Sequence, residues 1–540
     1  MILVQLILFI KLISYLKVMF QVARKFRVLQ VGGHDLGSLF NQKSNVEWDY
    51  FDVGLFDFES GYQDVVVHIL DEKGQFDFVF VREKYSDSLM KLLSLVSTPY
   101  NTVIDNEYWD NQYQQDKTIQ RNFIKPLIYE NKEQLQQKLE AVTFPGQYGD
   151  KVKPIHCRVS IHFDGSYQFN GNESIEVSGR FGESYQPLIT WSQNIIADAN
   201  KVNQIWPEFK VEGDAKIQYT LRLTPVYSTD QPVEKLIYEQ DDLDTPIELP
   251  ARPYQTYVSV SIKAKGKGTL FIGAIHKRWS RLELGQFILG GKRYSDENKQ
   301  EFIHYFHPGD LKPPLNVYFS GYRTAEGFEG YFMMKRMNAP FILIADPRIE
   351  GDAFYLGSEN YEQAIRKVIQ NALDYLGFAN NQLILSGLSM GSFGALYYAT
   401  KLNPAAVIVG KPLINLGTIA NNMKLVRPND FGTSLDILRL NQNGITNKDV
   451  VQLDNHFWKQ IQHSDLSMTT FAIAYMEHDD YDKYAFQDLL PVLTKQHARV
   501  ISKRIPGRHN DDSATVTHWF INFYHLIMEE RFGRVTHARR

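Results

Sequence analysis

The sequence predicts an α/β protein with three folded domains, because the apolar residues follow two different periods along the chain. In residues 25–150 and 301–540, short apolar runs alternate with stretches of helical period, which is typical of parallel sheets covered by helices. In residues 151–300, apolar and polar residues alternate with a period of two, which is typical of half-buried strands. The chain has 540 residues, of which 44% are hydrophobic, so each domain can form its own core.

A hydrophobic extension, residues 1–24, precedes the predicted domains. Lys11 and Lys17 interrupt its apolar run, which makes a membrane-spanning helix unfavourable. The segment also lacks the basic start and the small-residue cleavage site of a signal peptide. Two interpretations remain: translation begins at Met19 and the residues before it are untranslated, or the segment anchors the protein at a membrane surface.

Residues 25–150 are predicted to form a small Rossmann-like α/β domain. Its first apolar strand ends in the turn Gly32-Gly33-His34-Asp35, which invites comparison with a nucleotide-binding loop. The complete G-x-G-x-x-G pattern is missing, however, and a glycine pair after a strand is more often a tight turn. A cofactor site is therefore not favoured here.

Residues 151–300 are predicted to form a β-sandwich, since the period-two alternation recurs, for example at 217–223 and 258–262. Three tryptophans in this region either stack on sugar rings or pack in the core, and packing is the preferred interpretation. They are Trp191, Trp206 and Trp279.

Residues 301–540 are predicted to form a largely parallel sheet buried on both faces, with the best helical period at 360–376. The segment Gly387-Leu388-Ser389-Met390-Gly391 lies between an apolar strand and a helix rich in small residues. This strand–turn–helix context is that of a nucleophile elbow, so the domain is predicted to be α/β-hydrolase-like, with Ser389 as nucleophile. The alternative is a turn in which Ser389 only caps the helix.

A nucleophilic serine needs a base and an acid that orients the base, and in this fold they follow the serine in the order acid, histidine. His509 lies between the last predicted strand and the last helix, as the base should. The acid is expected in the loop 477–482, where Asp479 is preferred and the adjacent Asp480 remains open. Metal binding by this acidic loop is not favoured, because no second group of ligands is evident.

An oxyanion formed during acyl transfer needs two hydrogen-bond donors. One is expected to be the backbone N–H of Met390, which follows the nucleophile. The other is expected from the backbone of Gly321 or Tyr322, in the loop after an early strand of the domain. Arg323 either adds a positive charge there or lies on the surface.

Charge and cysteine content exclude some classes of function and favour a compartment. The net charge of −4 and the isoelectric point near 6.4 argue against a nucleic-acid partner, since nucleic-acid binders usually show a basic patch or stripe. Cys157 is the single cysteine, so no disulfide can form within the chain, which fits a reducing compartment and leaves an exported protein as the alternative.

Four short segments, residues 32–35, 352–357, 387–391 and 507–510, occur in one order along the chain. They read Gly-Gly-His-Asp, Asp-Ala-Phe-Tyr-Leu-Gly, Gly-Leu-Ser-Met-Gly and Gly-Arg-His-Asn. In this order and domain context the chain resembles the family of the second accessory secretory protein of the accessory Sec system of Gram-positive bacteria. The resemblance covers the chain from about residue 25 to its end and leaves the extension unmatched.

The resemblance implies a component that supports export of serine-rich-repeat glycoprotein adhesins, together with two other accessory secretory proteins and the accessory Sec motor ATPase. It also implies O-acetylation of N-acetylglucosamine on the adhesin, with the site on Ser389, Asp479 and His509. No tightly bound cofactor is expected; acetyl-CoA is the expected acetyl donor and co-substrate. A cytoplasmic location follows, with peripheral contact at the inner face of the membrane as a variant. The alternatives are a carbohydrate esterase with the same triad and a non-enzymatic scaffold of the export complex.

Overall fold

The structure is a computed structural model that describes residues 25–40, 45–52, 62–227, 233–349, 353–426, 434–442 and 444–534. The hydrophobic extension lies outside these residues, as does Asp352 of the second segment that carries the family resemblance. Of the helices within the described ranges, none combines the length and hydrophobicity needed to cross a bilayer.

The chain divides into two compact units, Met1–Gly146 and Gln147–Arg540. The β-rich central region and the C-terminal sheet therefore lie in the same unit. The domain boundary that the sequence predicts near residue 300 stays a prediction.

The first unit contains a parallel five-stranded sheet in the order β2-β1-β3-β4-β5. Its strands are β1 (Phe26–Val31), β2 (Val46–Phe51), β3 (Phe78–Val81), β4 (Thr102–Asp105) and β5 (Lys125–Leu127). Its helices are α1 (Tyr62–Lys73), α2 (Asp87–Val96), α3 (Asn111–Gln115), α4 (Lys117–Arg121) and α5 (Lys132–Val142). Every residue of β1, β3 and β4 is buried, as expected for a parallel sheet covered on both faces.

The glycine pair after β1 has a packing explanation. Gly32 and Gly33 have φ angles of 74° and 66°, which glycine adopts without strain. A Cβ on either residue would come within 2.9 Å of Arg82, so the turn depends on close approach to the neighbouring strand end.

The central region forms one hydrogen-bonded sheet of ten strands, and the β-sandwich that the sequence predicts here stays a prediction. The strands are β6 (Gly149–Val152), β7 (Cys157–Val159), β8 (Ser166–Asn170), β9 (Ser174–Trp191), β10 (Ile195–Ala197), β11 (Asn203–Gly213), β12 (Lys216–Pro225), β13 (Glu234–Glu239), β14 (Ile247–Leu249) and β15 (Thr256–Trp279).

The length of β15 explains how so many strands belong to one sheet. With 24 residues, β15 pairs with β12 along its first half and with β11 along its second half. Strands β10, β9 and β6 pair along its other edge. One strand therefore connects the strands on both of its edges into a single sheet. The preferred interpretation of the tryptophans agrees with the burial of Trp191 and Trp206, and the indole N–H of Trp279 donates to Asp198.

The C-terminal region contains an eight-stranded sheet in the order β16-β17-β19-β18-β20-β21-β22-β23. Its strands are β16 (Lys292–Ser295), β17 (Glu301–His307), β18 (Leu315–Phe319), β19 (Phe341–Ala345), β20 (Leu383–Leu388), β21 (Ala406–Gly410), β22 (Thr470–Met476) and β23 (Arg499–Ile505). Strand β17 is antiparallel to β16 and β19, and the neighbours from β19 to β23 pair in parallel.

Helices cover both faces of this sheet, and its strands β18, β19 and β21 are buried at every position. The helices are α6 (Tyr331–Arg336), α7 (Glu359–Leu376), α8 (Met390–Leu402), α9 (Leu416–Val426), α10 (Ser434–Gln442), α11 (Asn447–His463), α12 (Ala485–Lys495) and α13 (Ser513–Phe532). Because β18, β20, β22 and β23 are parallel, the loops that follow them meet at one edge of the sheet. The fold is thus mixed α/β with several sheets, and this edge carries all the predicted site residues.

Candidate active site

Ser389 lies in a sharp turn between β20 and α8, with φ 53° and ψ −119°. The turn is closed so tightly that a Cβ on Gly387 would lie 2.1 Å from the Gly391 carbonyl oxygen. A Cβ on Gly391 would lie 2.0 Å from the Phe319 carbonyl oxygen. The Ser389 N–H donates to the Gly410 carbonyl at 2.8 Å, which ties the turn to β21. This geometry is that of a nucleophile elbow.

The Ser389 side chain pairs with histidine instead of capping α8. Its Oγ lies 2.8 Å from Nε2 of His509, and it makes no capping hydrogen bond to the helix. The imidazole is only 1% exposed, and the Tyr481 ring stacks on it with centroids 4.1 Å apart and planes 7° apart. His509 therefore has a fixed ring plane. Tyr481, which the sequence analysis missed, carries no motif that would have identified it.

The two candidate acids both contact His509, but at different atoms. Oδ2 of Asp479 lies 2.8 Å from the ring nitrogen Nδ1. Asp480 Oδ1 instead accepts a hydrogen bond from the backbone N–H of His509 at 3.0 Å. The other oxygen of Asp479 accepts from the Tyr481 N–H at 2.8 Å, which holds its carboxylate in place. The structure thus brings Ser389, His509 and Asp479 into one hydrogen-bonded chain.

The predicted oxyanion donors lie beside Ser389, but one of them is already engaged. Met390 is the first residue of α8, and a Cβ on Gly321 would lie 3.1 Å from the Leu388 carbonyl oxygen, so Gly321 lies against the elbow. The Gly321 N–H donates to Oε2 of Glu329 at 2.7 Å. The sequence did not identify Glu329, because it lies eight residues after Gly321 in an irregular loop and belongs to no motif.

The other two predicted residues of this loop, Tyr322 and Arg323, have different contacts. Tyr322 lines the same cavity as Ser389. The Arg323 guanidinium donates to the Phe328 carbonyl and so has a partner within the loop.

A cavity of about 500 Å³ opens beside Ser389 and His509. Lys411 lines it, and its Nζ donates to Ser513 Oγ at 2.9 Å. Burial lowers the pKa of Lys411, although the carboxylates of Asp479 and Glu329 oppose that shift. The cavity therefore presents a serine, an imidazole, an ammonium and a carboxylate to a bound molecule. Among the residues described, no group of three or more His, Cys, Asp or Glu side chains is arranged to hold a metal ion.

The fold and the site define a mixed α/β protein with a serine–histidine–aspartate arrangement at the carboxyl edge of a mostly parallel sheet. Residues 26–534 match the model of a protein family described as the accessory Sec system GspB-transporter. The chain belongs to this family, and the resemblance that the sequence motifs predict is confirmed.

Relatives in two organisms span nearly the whole chain. An accessory Sec system protein of Staphylococcus aureus (strain NCTC 8325 / PS 47) is 54% identical over 96% of this chain and 99% of its own length. Another from Streptococcus gordonii is 37% identical over 94% of this chain and 99% of its own length.

A solved structure is similar over almost the same range. It is a chain of the Glycosylation Associate Protein (Gap123) complex from Streptococcus agalactiae, with a TM-score of 0.85 and 37% identity. The match covers 95% of this chain and 100% of the other.

Proposed function

We propose that this chain supports export of serine-rich-repeat glycoprotein adhesins through the accessory Sec system and O-acetylates their N-acetylglucosamine. Membership in the accessory Sec system family supports the export role. The observation that carries the enzymatic part is the pair of 2.8 Å hydrogen bonds linking Ser389 to His509 and His509 to Asp479. Through such a series of hydrogen-bonded side chains a histidine can take the proton of a serine hydroxyl, which makes the serine a nucleophile.

In the first step, Ser389 Oγ attacks the carbonyl carbon of the acetyl donor while its proton moves to His509 Nε2. Asp479 stabilises the imidazolium that forms. Backbone N–H groups of Met390 and of Gly321 or Tyr322 stabilise the oxyanion. The proton then passes from His509 to the leaving group, and an acetyl ester remains on Ser389.

In the second step, a sugar hydroxyl gives its proton to His509 Nε2 as its oxygen attacks the acetyl ester. The bond to Ser389 breaks, and the proton returns to Oγ. Acetyl-CoA is the proposed donor, acting as a co-substrate, so the leaving group of the first step is its thiolate, released as the thiol.

We further propose that the chain works on the cytoplasmic side of the membrane with two other accessory secretory proteins and the accessory Sec motor ATPase. The similar S. agalactiae chain belongs to a complex, which supports an assembly of several proteins.

Ser389→Ala tests the enzymatic role in cells that export the adhesin through this protein. The acetyl content of the adhesin glycan and the amount exported are measured together, with Ser467→Ala, an exposed serine, as the matched control. We expect acetylation to disappear while export largely persists. Unchanged acetylation with a folded variant would leave a scaffold as the function. Purified protein separates a transferase from an esterase. If added glycan neither receives acetyl groups nor changes the rate at which acetate is released from the donor, the protein is an esterase.

A further inference from the structure

Glu329 is a carboxylate placed inside the candidate active site. It lines the cavity that contains Ser389 and His509. Its Oε2 accepts the Gly321 N–H at 2.7 Å, and its own N–H donates to Ser320 Oγ at 3.3 Å. Glu329 is therefore held by the loop that supplies the predicted second oxyanion donor.

Tyr318 contacts the same carboxylate from the end of β18. Burial, followed by the charge of Glu329 and a hydrogen bond to it, raises the pKa of the Tyr318 hydroxyl well above its ordinary range. The geometric contact that places the carboxylate in the site is the 2.7 Å hydrogen bond from the Gly321 N–H, and Tyr318 lies close enough to feel its charge.

The position of Glu329 conflicts with stabilisation of an oxyanion. The Gly321 N–H cannot donate fully to an acyl oxygen while it donates to a carboxylate, and charge-assisted hydrogen bonds of this kind are among the stronger ones. Negative charge also develops on the acyl oxygen in the transition state, and a nearby carboxylate repels it. Both effects slow attack by Ser389.

We propose that Glu329 is an inhibitory side chain: its carboxylate occupies the Gly321 N–H and must leave it before Ser389 can form an acyl-enzyme. The inference rests on the proposed function, since it presupposes that Ser389 is acylated and that Gly321, of the two candidates Gly321 and Tyr322, supplies the second oxyanion donor. Lys411, in the same cavity, attracts the carboxylate and offers a cationic partner within the site once Gly321 is released.

A supporting role for Glu329 predicts a different change in the acylation rate from an inhibitory role. If its carboxylate only held the loop after β18 in a productive position, its removal would lower the rate of acylation. If it blocks the oxyanion donor, its removal raises that rate. The sign of the change therefore separates the two roles.

The test compares Glu329→Gln and Glu329→Ala with the wild type, each as the full chain. Two rates are measured: hydrolysis of p-nitrophenyl acetate, and covalent labelling of Ser389 by a fluorophosphonate, whose phosphoryl oxygen occupies the oxyanion position. We expect both rates to rise about tenfold or more in Glu329→Ala, and to rise less in Glu329→Gln, whose amide oxygen still accepts the Gly321 N–H without charge. Glu530→Gln, which removes the charge of a surface pair with Arg499, is the matched control and should leave both rates unchanged.

Several outcomes would overturn the inference. Unchanged or lower rates in both Glu329 variants, at the wild-type melting temperature, would do so. Melting temperatures well below wild type in both variants would instead identify Glu329 as structural support for the loop. Ser389→Ala, alone and combined with Glu329→Ala, separates this result from failure of the proposed function: labelling that survives without Ser389 would disprove the nucleophile itself.

Discussion

At the scale of single residues, the candidate site distinguishes two adjacent aspartates that the sequence cannot separate. Both lie in the loop after β22, and both reach His509. Asp479 contacts the ring, where it can stabilise an imidazolium, while Asp480 accepts the backbone N–H of His509 and so helps to position the loop. The difference follows from a local turn. The Tyr481 N–H donates to one carboxylate oxygen of Asp479, and the other oxygen of Asp479 then points at the His509 imidazole.

Asp479→Asn and Asp480→Asn should therefore differ strongly in activity. In Asp479→Asn the introduced amide favours the wrong imidazole tautomer and carries no charge, so we expect hydrolysis of p-nitrophenyl acetate to fall about 10²–10⁴-fold. Asp480→Asn keeps an oxygen that accepts the His509 N–H, and we expect a loss of less than about tenfold. Equal losses in the two variants would contradict the assignment of Asp479.

The residues of the site also differ in how far sequence can predict them. Ser389 and His509 were predictable because a motif in a strand–turn–helix context and a fixed chain order constrain both. Glu329 was not predictable, because its contact with the site depends on how an irregular loop folds. Lys411 directly follows β21 at the carboxyl edge of the sheet, but it belongs to no motif that would have marked it. Sequence patterns report the period of regular elements and carry little information about such loops.

At the scale of elements, the elbow between β20 and α8 depends on the absence of side chains. The sequence pattern indicated that small residues are required here. The contacts of Gly391 show how strict this requirement is, since a Cβ would lie 2.0 Å from the Phe319 carbonyl oxygen. That oxygen belongs to the backbone of β18, which cannot move without disturbing the sheet. Helix α8 can therefore approach the sheet only with glycine at this position.

Gly391→Ala should destabilise the chain by about 3 kcal/mol or more, or prevent folding, because the methyl group overlaps buried backbone. Gly377→Ala is the matched control: Gly377 ends α7 with φ 70°, and apart from its neighbours along the chain no residue comes within 4 Å of the added methyl group. It should cost only about 1 kcal/mol, from the left-handed backbone conformation. Urea unfolding of both variants measures the difference, and equal losses would mean that the close contact with Phe319 does not require glycine at the elbow.

The sequence predicted several strands but not how they pair with one another. The period-two pattern correctly indicated half-buried strands at 217–223 and 258–262, which lie within β12 and β15. It did not reveal that β15 is 24 residues long and joins ten strands into one sheet. Alternation shows which residues share a face, but it does not specify the partner strand.

At the scale of the whole second unit, a buried charge network joins the central sheet to the C-terminal sheet. Arg278 on β15 donates to both carboxylate oxygens of Glu301 on β17, at 2.6 and 3.0 Å. Its Nε donates to Glu326 at 2.7 Å, and His276 lies 2.6 Å from the same carboxylate. Burial opposes the charge of Glu326, but Arg278 and His276 lower the pKa of this carboxylate overall. The network therefore exists as paired charges within the core.

Arg278→Met should destabilise the full chain by about 3–5 kcal/mol, because it leaves Glu301 and Glu326 without their main buried cation. Arg499→Met is the matched control, since its partner Glu530 is a surface residue and the pair should contribute less than about 1 kcal/mol. Combining Arg278→Met with Glu301→Leu removes one of the stranded carboxylates and should recover part of the loss. Urea unfolding followed by far-ultraviolet circular dichroism measures all three variants. A double variant no more stable than Arg278→Met would mean that shape at this junction, and not charge pairing, joins the two sheets.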